Sequence, residues 1–238
     1  MKKFAFTLAA ALLTSPAFAQ IEVGAGIGAS IFTGDLGGSQ YNYAFNPMDI
    51  DVMSTRLAGQ AFVRVPLNSN LNFRANLSAA QVAGNDAYAG NEGIKARGAS
   101  FTGTVAEYSA RVEIYPSVFH HWYGYVGVGR TLYNYNTQLN GESLQSGPLV
   151  SNGAWSAPVG IGFTIHDQFN GAHWDIEVST RVVGSDDLDG ISGPSSRQND
   201  SYHSITLNYS LPIGAAGAQK GYHRPHNKGG KSPKCYQF

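Results

Sequence analysis

The sequence predicts an all-β protein, an eight-stranded antiparallel transmembrane β-barrel of the outer-membrane type. Apolar and polar residues alternate with a period of two in eight stretches of about ten residues, which is the pattern of a membrane-spanning barrel strand. Long and short connections follow one another between these stretches. Moreover, only 13% of the residues are charged, whereas about 25% is usual in a soluble domain.

A secretory signal peptide is predicted at residues 1–19. Lys2 and Lys3 form its basic start, an apolar stretch follows, and Ala17-Phe18-Ala19 has the small-x-small pattern of a cleavage site. The mature chain would then begin at Gln20. Its single cysteine, Cys235, excludes an internal disulfide framework, so the exported barrel is expected to fold without disulfide bonds.

Each of the eight predicted strands has one apolar and one polar face. The first alternates from Ile21 to Ile31, and the others lie within 57–65, 70–79, 106–114, 122–135, 155–165, 174–182 and 203–213. The four longer connections, rich in Gly, Asn, Asp and Ser, are 33–55, 83–103, 136–153 and 184–200, and the short turns are 67–70, 116–120 and 167–171. In an outer-membrane barrel the longer loops are extracellular, and the turns and both termini are periplasmic.

The apolar face is predicted to contact lipid. A soluble barrel of the lipocalin type would bury this face and expose the polar one. However, no Lys occurs in any predicted strand, although a solvated wall would use Lys and Glu freely. Aromatic residues suited to the two membrane interfaces stand near the strand ends: Phe32, Phe73, Trp122, Trp155, Trp174 and Tyr209.

With the apolar face outward, the charged side chains of the strands fall inside the barrel. Eight strands enclose a space just wide enough for side chains to fill, and buried charges must be paired. We therefore predict a packed interior polar network and not an open pore, because a conducting channel needs more strands. The predicted network consists of Glu22, Arg64, Arg74, Glu107, Arg111, Glu113, Asp175, Glu177 and Arg181.

No catalytic, cofactor-binding or metal-binding residue is predicted, and the protein is not expected to be an enzyme. His203 and Ser204 are adjacent in a strand and therefore point to opposite faces. His166 lies beside a short turn, and His120-His121 suits an interfacial anchor. The sequence Asp186-Asp187-x-Asp189-Gly190 lacks the Glu and the spacing of an EF-hand loop.

A basic periplasmic tail, residues 217–238, is predicted to follow the barrel domain, residues 20–216. The barrel domain contains nine Lys and Arg against sixteen Asp and Glu, whereas the tail contains five basic residues and no acid. The tail has few apolar residues, so it is expected to be flexible or ordered by a partner. The residues predicted to bind this partner are Lys220, Arg224, Lys228, Lys231, Lys234, Cys235 and Phe238.

Further motifs run in order along almost the whole mature chain. They are Gly24-x-Gly26-x-Gly28, Thr33-Gly34-Asp35-Leu36-Gly37-Gly38, Phe73-Arg74-Ala75-Asn76-Leu77, Gly84-Asn85-Asp86-Ala87, Glu107-x-Ser109-x-x-x-Glu113, Tyr125-Val126-Gly127-Val128-Gly129, Pro158-Val159-Gly160-Ile161-Gly162, Arg181-x-x-x-Ser185-Asp186-x-Leu188-Asp189, Asn199-Asp200-x-Tyr202 and Lys234-Cys235-Tyr236-Gln237-Phe238. The ordered set resembles the PorG-like small outer-membrane barrels of the type IX secretion (Por) system, with Tyr236 where that family usually has Pro. The resemblance implies an outer-membrane component that associates with periplasmic or lipoprotein subunits of the translocon.

Two functions from different classes remain open. The first is a subunit of the secretion machinery that sits in the lipid of a Gram-negative outer membrane and docks periplasmic components through its tail. The second is a small adhesion or receptor barrel that binds ligands through its extracellular loops, one of which is aromatic-rich from Tyr41 to Phe45. The basic tail favours the first, since an adhesin has no need of a cationic periplasmic extension. Neither function involves nucleic acid.

Overall fold

The computed structural model describes residues 21–33, 54–88, 92–119, 121–139, 142–149, 152–166, 172–185, 188–190 and 200–213. The predicted signal peptide and the predicted basic tail, with all its partner-binding residues, lie outside the described residues. Most of the first long connection, including Tyr41 to Phe45, also lies outside them.

The described chain forms one antiparallel β-sheet. Its strands are β1 (Ile21–Thr33), β2 (Arg56–Pro66), β3 (Leu71–Asn85), β4 (Ser100–Ile114), β5 (Trp122–Leu139), β6 (Glu142–Gln145), β7 (Gly153–His166), β8 (His173–Val183) and β9 (Ser201–Ile213). The sheet closes because β1 pairs with β2 on one side and with β9 on the other. Eight strands complete this ring, since β6 pairs only with the end of β5. The predicted eight-stranded antiparallel barrel is confirmed.

The polarity of the barrel is the reverse of that of a soluble protein. Apolar side chains on its outer face are largely exposed, with 72% for Ile27, 64% for Leu77 and 66% for Trp155, whereas Arg64 and Arg74 inside are at most 1% exposed. Every backbone polar group of a closed barrel can pair with a neighbouring strand, which is what a membrane-spanning segment requires. An apolar wall around a polar interior is therefore the architecture of a transmembrane barrel.

The two ends of the barrel differ. At one end, called here the short-turn end, residues 67–70 join β2 to β3, residues 115–121 join β4 to β5, and β1 begins where β9 ends. At the other end, called here the long-loop end, β3, β4 and β5 continue for 15, 15 and 18 residues in all. These strands are longer than predicted, because their pairing continues past the point where the outward residues become polar, at Gln81, Thr104 and Asn134.

The connection between β3 and β4 contains a 3-10 turn at Asp86–Tyr88 and a short helix, α1 (Glu92–Arg97). The buried Asp86 carboxylate accepts hydrogen bonds from Arg97 Nε at 2.7 Å and from the backbone N–H of Ala99 at 3.1 Å. Gly98, with a φ of +62°, ends the helix in the left-handed conformation that glycine adopts without strain. This segment lies within the predicted long connection 83–103, for which no helix was predicted, and the Asp86 contacts order it. None of the helices within the described ranges is long and apolar enough to cross a membrane.

Inside the long-loop end, apolar side chains replace the charged network. This apolar cap consists of Phe32, Ala58, Ala80, Val82, Ala99, Phe101, Val105, Tyr133, Val183, Leu188 and Tyr202. The prediction that Phe32 faces the membrane interface is wrong: its ring contacts that of Phe101 with centroids 4.6 Å apart. The reason is the period of two, since Ile31 faces outward and its neighbour must face inward.

Candidate functional site

The interior of the barrel brings together all nine charged residues of the predicted polar network. Eight of them are buried, and Glu22, at the short-turn end, is three-quarters buried. The strands position them by alternation alone, since each charged residue occupies an inward position between two outward residues, all of them apolar except Thr180 beside Arg181. The buried members are Arg64, Arg74, Glu107, Arg111, Glu113, Asp175, Glu177 and Arg181.

Three arginines stand side by side on one wall. Strand pairing places Arg64 of β2 beside Arg74 of β3, and Arg74 beside Arg111 of β4. Like charges directly opposite each other on paired strands are destabilising. This row of arginines, called here the arginine row, is therefore stable only if carboxylates enter between the guanidinium groups.

Two of those carboxylates come from the facing wall. Asp175 of β8 accepts a hydrogen bond from Arg64 Nη2 at 3.0 Å. Glu177, two residues later in β8, lies 2.6 Å from Arg74 Nη1 and 3.1 Å from Arg111 Nη1. The arginine row and β8 are thus joined across the lumen, between residues that are 66 to 111 positions apart in sequence.

The carboxylate of Glu113 completes the short-turn side of the network. It lies 2.7 Å from Arg64 Nε and 3.2 Å from Arg74 Nη1. Glu22 lies 3.1 Å from Arg64 Nη1, and His173 Nε2 is 2.7 Å from the same nitrogen. Arg64 therefore contacts three carboxylates and one imidazole.

Closer to the apolar cap, Glu107 is the centre of a second group of ion pairs. Its Oε1 lies 3.4 Å from both Arg111 Nη2 and Arg181 Nε, and its Oε2 accepts a hydrogen bond from Ser156 Oγ at 3.0 Å. Arg181 Nη1 also donates to Ser179 Oγ at 2.7 Å and to Ser204 Oγ at 2.8 Å. Each carboxylate of the network thus has at least one arginine within ion-pair distance, as burial of charge demands.

Three inward-facing tyrosines belong to the site and were not predicted. Tyr123 and Tyr125 of β5 donate hydrogen bonds to the two oxygens of Glu177, at 3.2 and 3.1 Å. Tyr115, just beyond β4, donates to Glu113 Oε2 at 3.2 Å. Burial raises the pKa of the Tyr115 phenol well above its usual value, so this hydroxyl stays protonated and remains a donor. The signal in the sequence was the spacing of Tyr123 and Tyr125, which places both side chains on the same, inward face of β5.

Aromatic rings also pack against the guanidinium groups. The Cζ atom of Arg74 lies 3.6 Å from the centroid of the Phe62 ring, and that of Arg111 lies 4.9 Å from the Tyr125 centroid. Such cation–π contacts are strongest where water is excluded. They fill the space between the charged groups with apolar surface that does not need hydrogen bonds.

Glycines in the strands make room for these large side chains. A Cβ atom added to Gly162 would lie 2.1 Å from Cζ of Tyr123, and one added to Gly24 would lie 2.3 Å from Cζ of Phe62. Both distances are far below van der Waals contact. The glycine-rich strands are therefore a packing requirement of an interior filled with Arg, Tyr and Phe.

The residues weighed as catalytic or metal-binding candidates lie apart. Ser204 faces inward to Arg181, whereas His203 faces outward, where its Nδ1 is 2.9 Å from Thr180 Oγ1. His121 Nδ1 is 3.1 Å from the backbone oxygen of Thr164 at the short-turn end. Within the described ranges, no three His, Cys, Asp or Glu side chains are grouped in a way that could hold a metal ion.

Comparisons with solved structures found small outer-membrane barrels. Ail, the attachment invasion locus protein of Yersinia pestis, is 12% identical with a TM-score of 0.44, and 81% of this chain and 99% of that chain are covered. A major outer membrane protein from Thermus thermophilus is 16% identical with a TM-score of 0.43, over 81% and 99%. Neisserial surface protein A (NspA) is 10% identical with a TM-score of 0.42, over 81% and 97%.

Comparisons of the sequence give the family. No curated protein sequence matches this chain. One family model, described as "Domain of unknown function (DUF6089)", matches residues 2–210 and so takes in every strand of the barrel up to most of β9. The chain belongs to the DUF6089 family.

Proposed function

We propose that this protein is a non-enzymatic outer-membrane subunit of a type IX protein secretion machinery that anchors periplasmic components and does not conduct. The observation that carries the proposal is the filled interior. Arg74 and Glu177 are fully buried in the middle of the barrel, and their charges are compensated by neighbours. A barrel without a free lumen acts through its surfaces, which are its loops, its turns and its tail.

The choice of a secretion machinery rests on the ordered motifs that resemble the PorG-like barrels. Several of those motifs coincide with the interior site: Phe73-Arg74-Ala75-Asn76-Leu77 contains a member of the arginine row, and Glu107-x-Ser109-x-x-x-Glu113 contains two of its carboxylate partners. Pro158-Val159-Gly160-Ile161-Gly162 contains the glycine that accommodates Tyr123. The resemblance therefore involves residues that build the barrel and not only its loops.

The orientation that we propose places the short-turn end in the periplasm of a Gram-negative cell. Ile21 of β1 pairs with Ile213 of β9, so the chain enters and leaves the barrel at the same end. Residues 217–238 would then emerge on the periplasmic side. Their five basic residues and absence of acids suit an acidic protein surface, and Phe238 and Cys235 suit burial in a partner.

Truncation of the chain after residue 216 tests this function. The truncated and full-length proteins are expressed with the same tag in a cell that has the secretion machinery, and the co-purified periplasmic and lipoprotein subunits are identified. We expect the truncated barrel to insert and to remain heat-modifiable on a gel, but to lose those subunits. Retention of the subunits in undiminished amounts would show that the tail does not dock them.

Two further variants sharpen this experiment. Substitution of Gln for all five basic residues of the tail removes charge without shortening the chain, and it is expected to weaken co-purification. Replacement of Glu142–Gln145 (β6) by glycine and serine changes the opposite end and is expected to leave co-purification unchanged. Secretion of substrate proteins at the normal rate in a cell that lacks the protein altogether would contradict the proposed role in secretion.

The adhesion or receptor function is favoured by a different observation. Beyond the apolar band, β3 to β6 form a projecting sheet with a cavity of about 490 Å³, lined by polar residues that include Gln81, Thr104 and Asn134. If this were the functional surface, the β6 replacement would abolish ligand or cell binding and truncation of the tail would not. The same pair of variants therefore separates the two functions.

A further inference from the structure

The outer wall of the barrel carries one charged residue that the interior network does not use. Among the described outward positions of the eight barrel strands, Arg130 of β5 is the only Asp, Glu, Lys or Arg. It is half-buried, and its side chain forms no hydrogen bond or ion pair with another residue of the described ranges. A cation on the lipid-facing wall of a transmembrane barrel is costly unless a counter-charge is supplied from outside the chain.

Strand pairing fixes the height of Arg130. It lies in a lateral row of outward residues formed by Leu77, Tyr108, Arg130 and Trp155. The outward residues become polar at Asn134, four residues closer to the long-loop end. At about 3.3 Å per residue and a tilt of about 40°, this is about 10 Å along the barrel axis. Arg130 thus lies in the half of the apolar band that is nearer the long-loop end, well below the polar edge of the band.

The side chain of Arg130 leans towards that membrane surface. A Cβ atom built on Gly153 would lie 3.3 Å from Nε of Arg130 and 3.4 Å from Nη2. Gly153 pairs with Leu132, so it is one row closer to the long-loop end than Arg130. The apolar stem therefore covers the wall while the guanidinium extends from the acyl region towards the lipid headgroups, as expected of a snorkelling arginine.

Directly beside this row the wall is concave. Ala75 and Ala110 are paired with each other and lie one row closer to the short-turn end than Leu77 and Tyr108. Because alanine is small, they form the floor of an apolar groove of about 690 Å³, and the rim includes Tyr108, Arg130 and Trp155. A cation thus stands at the long-loop end of an apolar groove that runs deeper into the acyl region.

We propose that Arg130 and this groove bind a lipid whose headgroup carries a phosphate monoester, in the leaflet on the long-loop side. The phosphate oxygens accept hydrogen bonds from the guanidinium in the bidentate geometry that arginine favours, and an acyl chain occupies the groove over Ala75 and Ala110. Tyr108 and Trp155, the paired neighbours of Arg130, have polar donors on aromatic bodies suited to this interface. A lipid without net negative charge would leave Arg130 uncompensated.

Fluorescence quenching by brominated lipids tests this site. In a full-length protein carrying Trp122→Phe and Trp174→Phe, Trp155 is the remaining tryptophan. This protein is reconstituted in phosphatidylcholine vesicles that contain increasing fractions of either dibrominated phosphatidic acid or dibrominated phosphatidylcholine. We expect phosphatidic acid to quench Trp155 with about fivefold higher relative affinity, the factor that corresponds to about 1 kcal/mol for one basic residue at an anionic lipid surface.

Single substitutions test separately whether the preference for phosphatidic acid depends on the charge of Arg130 and on the apolar groove. Arg130→Gln should abolish the preference, and Arg130→Lys should keep most of it. Leu132→Gln, which adds the same amide to the same face of β5, should leave it unchanged. Ala110→Phe, which fills the groove, should weaken phosphatidic acid binding, whereas Val178→Phe on the exposed outer face of β8 should not.

Three results would overturn the proposal. Equal quenching by the two brominated lipids in the protein that retains Arg130 would show that no anionic lipid is selected. An unchanged preference in Arg130→Gln, with Ala110→Phe also unchanged, would place the selectivity elsewhere. Absence of quenching by both lipids would show that protein, such as a second copy of this chain, covers Trp155 instead of lipid.

Discussion

Removal of one buried arginine tests whether the interior is held together by ion pairs. Arg74 is fully buried, lies 2.6 Å from Glu177 and 3.2 Å from Glu113, and stacks on Phe62. The substitution Arg74→Ala leaves two carboxylates buried with fewer partners and also removes the stacking. We therefore expect a large loss of free energy of unfolding, without the opening of a channel.

The magnitude follows from the partners that remain. Removal of one member of a buried ion pair costs about 3–5 kcal/mol. Glu113 keeps Arg64, and Glu177 keeps Arg111 and two tyrosine hydroxyls. Neither carboxylate is left without a partner, so the lower end applies, about 3 kcal/mol, or about two orders of magnitude in the unfolding equilibrium constant.

The assay is reversible urea unfolding of the barrel in lipid vesicles, followed by tryptophan fluorescence. Arg130→Gln is the matched control, because it removes an arginine whose side chain faces lipid and has no ion pair within the described ranges, so it should not lower the free energy of unfolding. Equal stability of Arg74→Ala and the wild type would refute the reasoning. Large, steady single-channel conductance of the wild-type protein in planar bilayers would refute the closed interior directly.

Three further substitutions test particular contacts. Gly162→Ala should destabilise the barrel by about 1–3 kcal/mol in the same urea assay, since the new Cβ would overlap the ring of Tyr123, whereas Gly124→Ala, with no atom nearer than 3.9 Å, should be nearly neutral. Phe101→Ala, in the apolar cap, should cost about 3 kcal/mol, and a change below about 1 kcal/mol would show that the cap does not stabilise the barrel. Asp86→Ala should speed proteolysis within 86–99 at unchanged global stability, because it removes the hydrogen bonds that order this connection; proteolysis at the wild-type rate would contradict that role.

Alternation in the sequence was enough to predict the eight strands of the barrel and which of their charged residues face inward. It did not predict which acid meets which arginine, because those contacts cross the lumen. Arg64 of β2 meets Asp175 of β8, 111 positions later, and only the closure and tilt of the barrel bring them to the same height. The inward tyrosines were missed because aromatic residues are also expected on the lipid-facing side of such barrels, so the type of residue did not identify its face.

The sequence analysis missed the extra strand β6 and the apolar cap for the same reason. Period-two alternation marks a strand only where one face contacts lipid and the other is polar. Beyond Asn134 both faces of β5 face water or the cap, so the pattern ends while the backbone pairing continues to Leu139 and β6. Alternation in the sequence therefore indicates how far a strand runs through the apolar band of the membrane, but not how far the sheet continues beyond it.

The arginine row also bears on how the barrel reaches one register. A shift of one residue between neighbouring strands would turn every charged side chain of the shifted strand towards lipid, so alternation excludes odd shifts. A shift of two residues keeps all faces correct, and alternation cannot oppose it.

Such a shift of β8 would move Asp175 and Glu177 along the barrel by one row, away from their present partners Arg64 and Arg74. The arginines of β2, β3 and β4 would then keep Glu113 but face one carboxylate of β8 instead of two, so their charges would be incompletely compensated. Because an uncompensated buried charge costs several kcal/mol, the network penalises even shifts and open sheets alike. The ion pairs across the lumen thus couple the closure of the barrel to the correct register of its walls, a role that an apolar filling of the same volume would not supply.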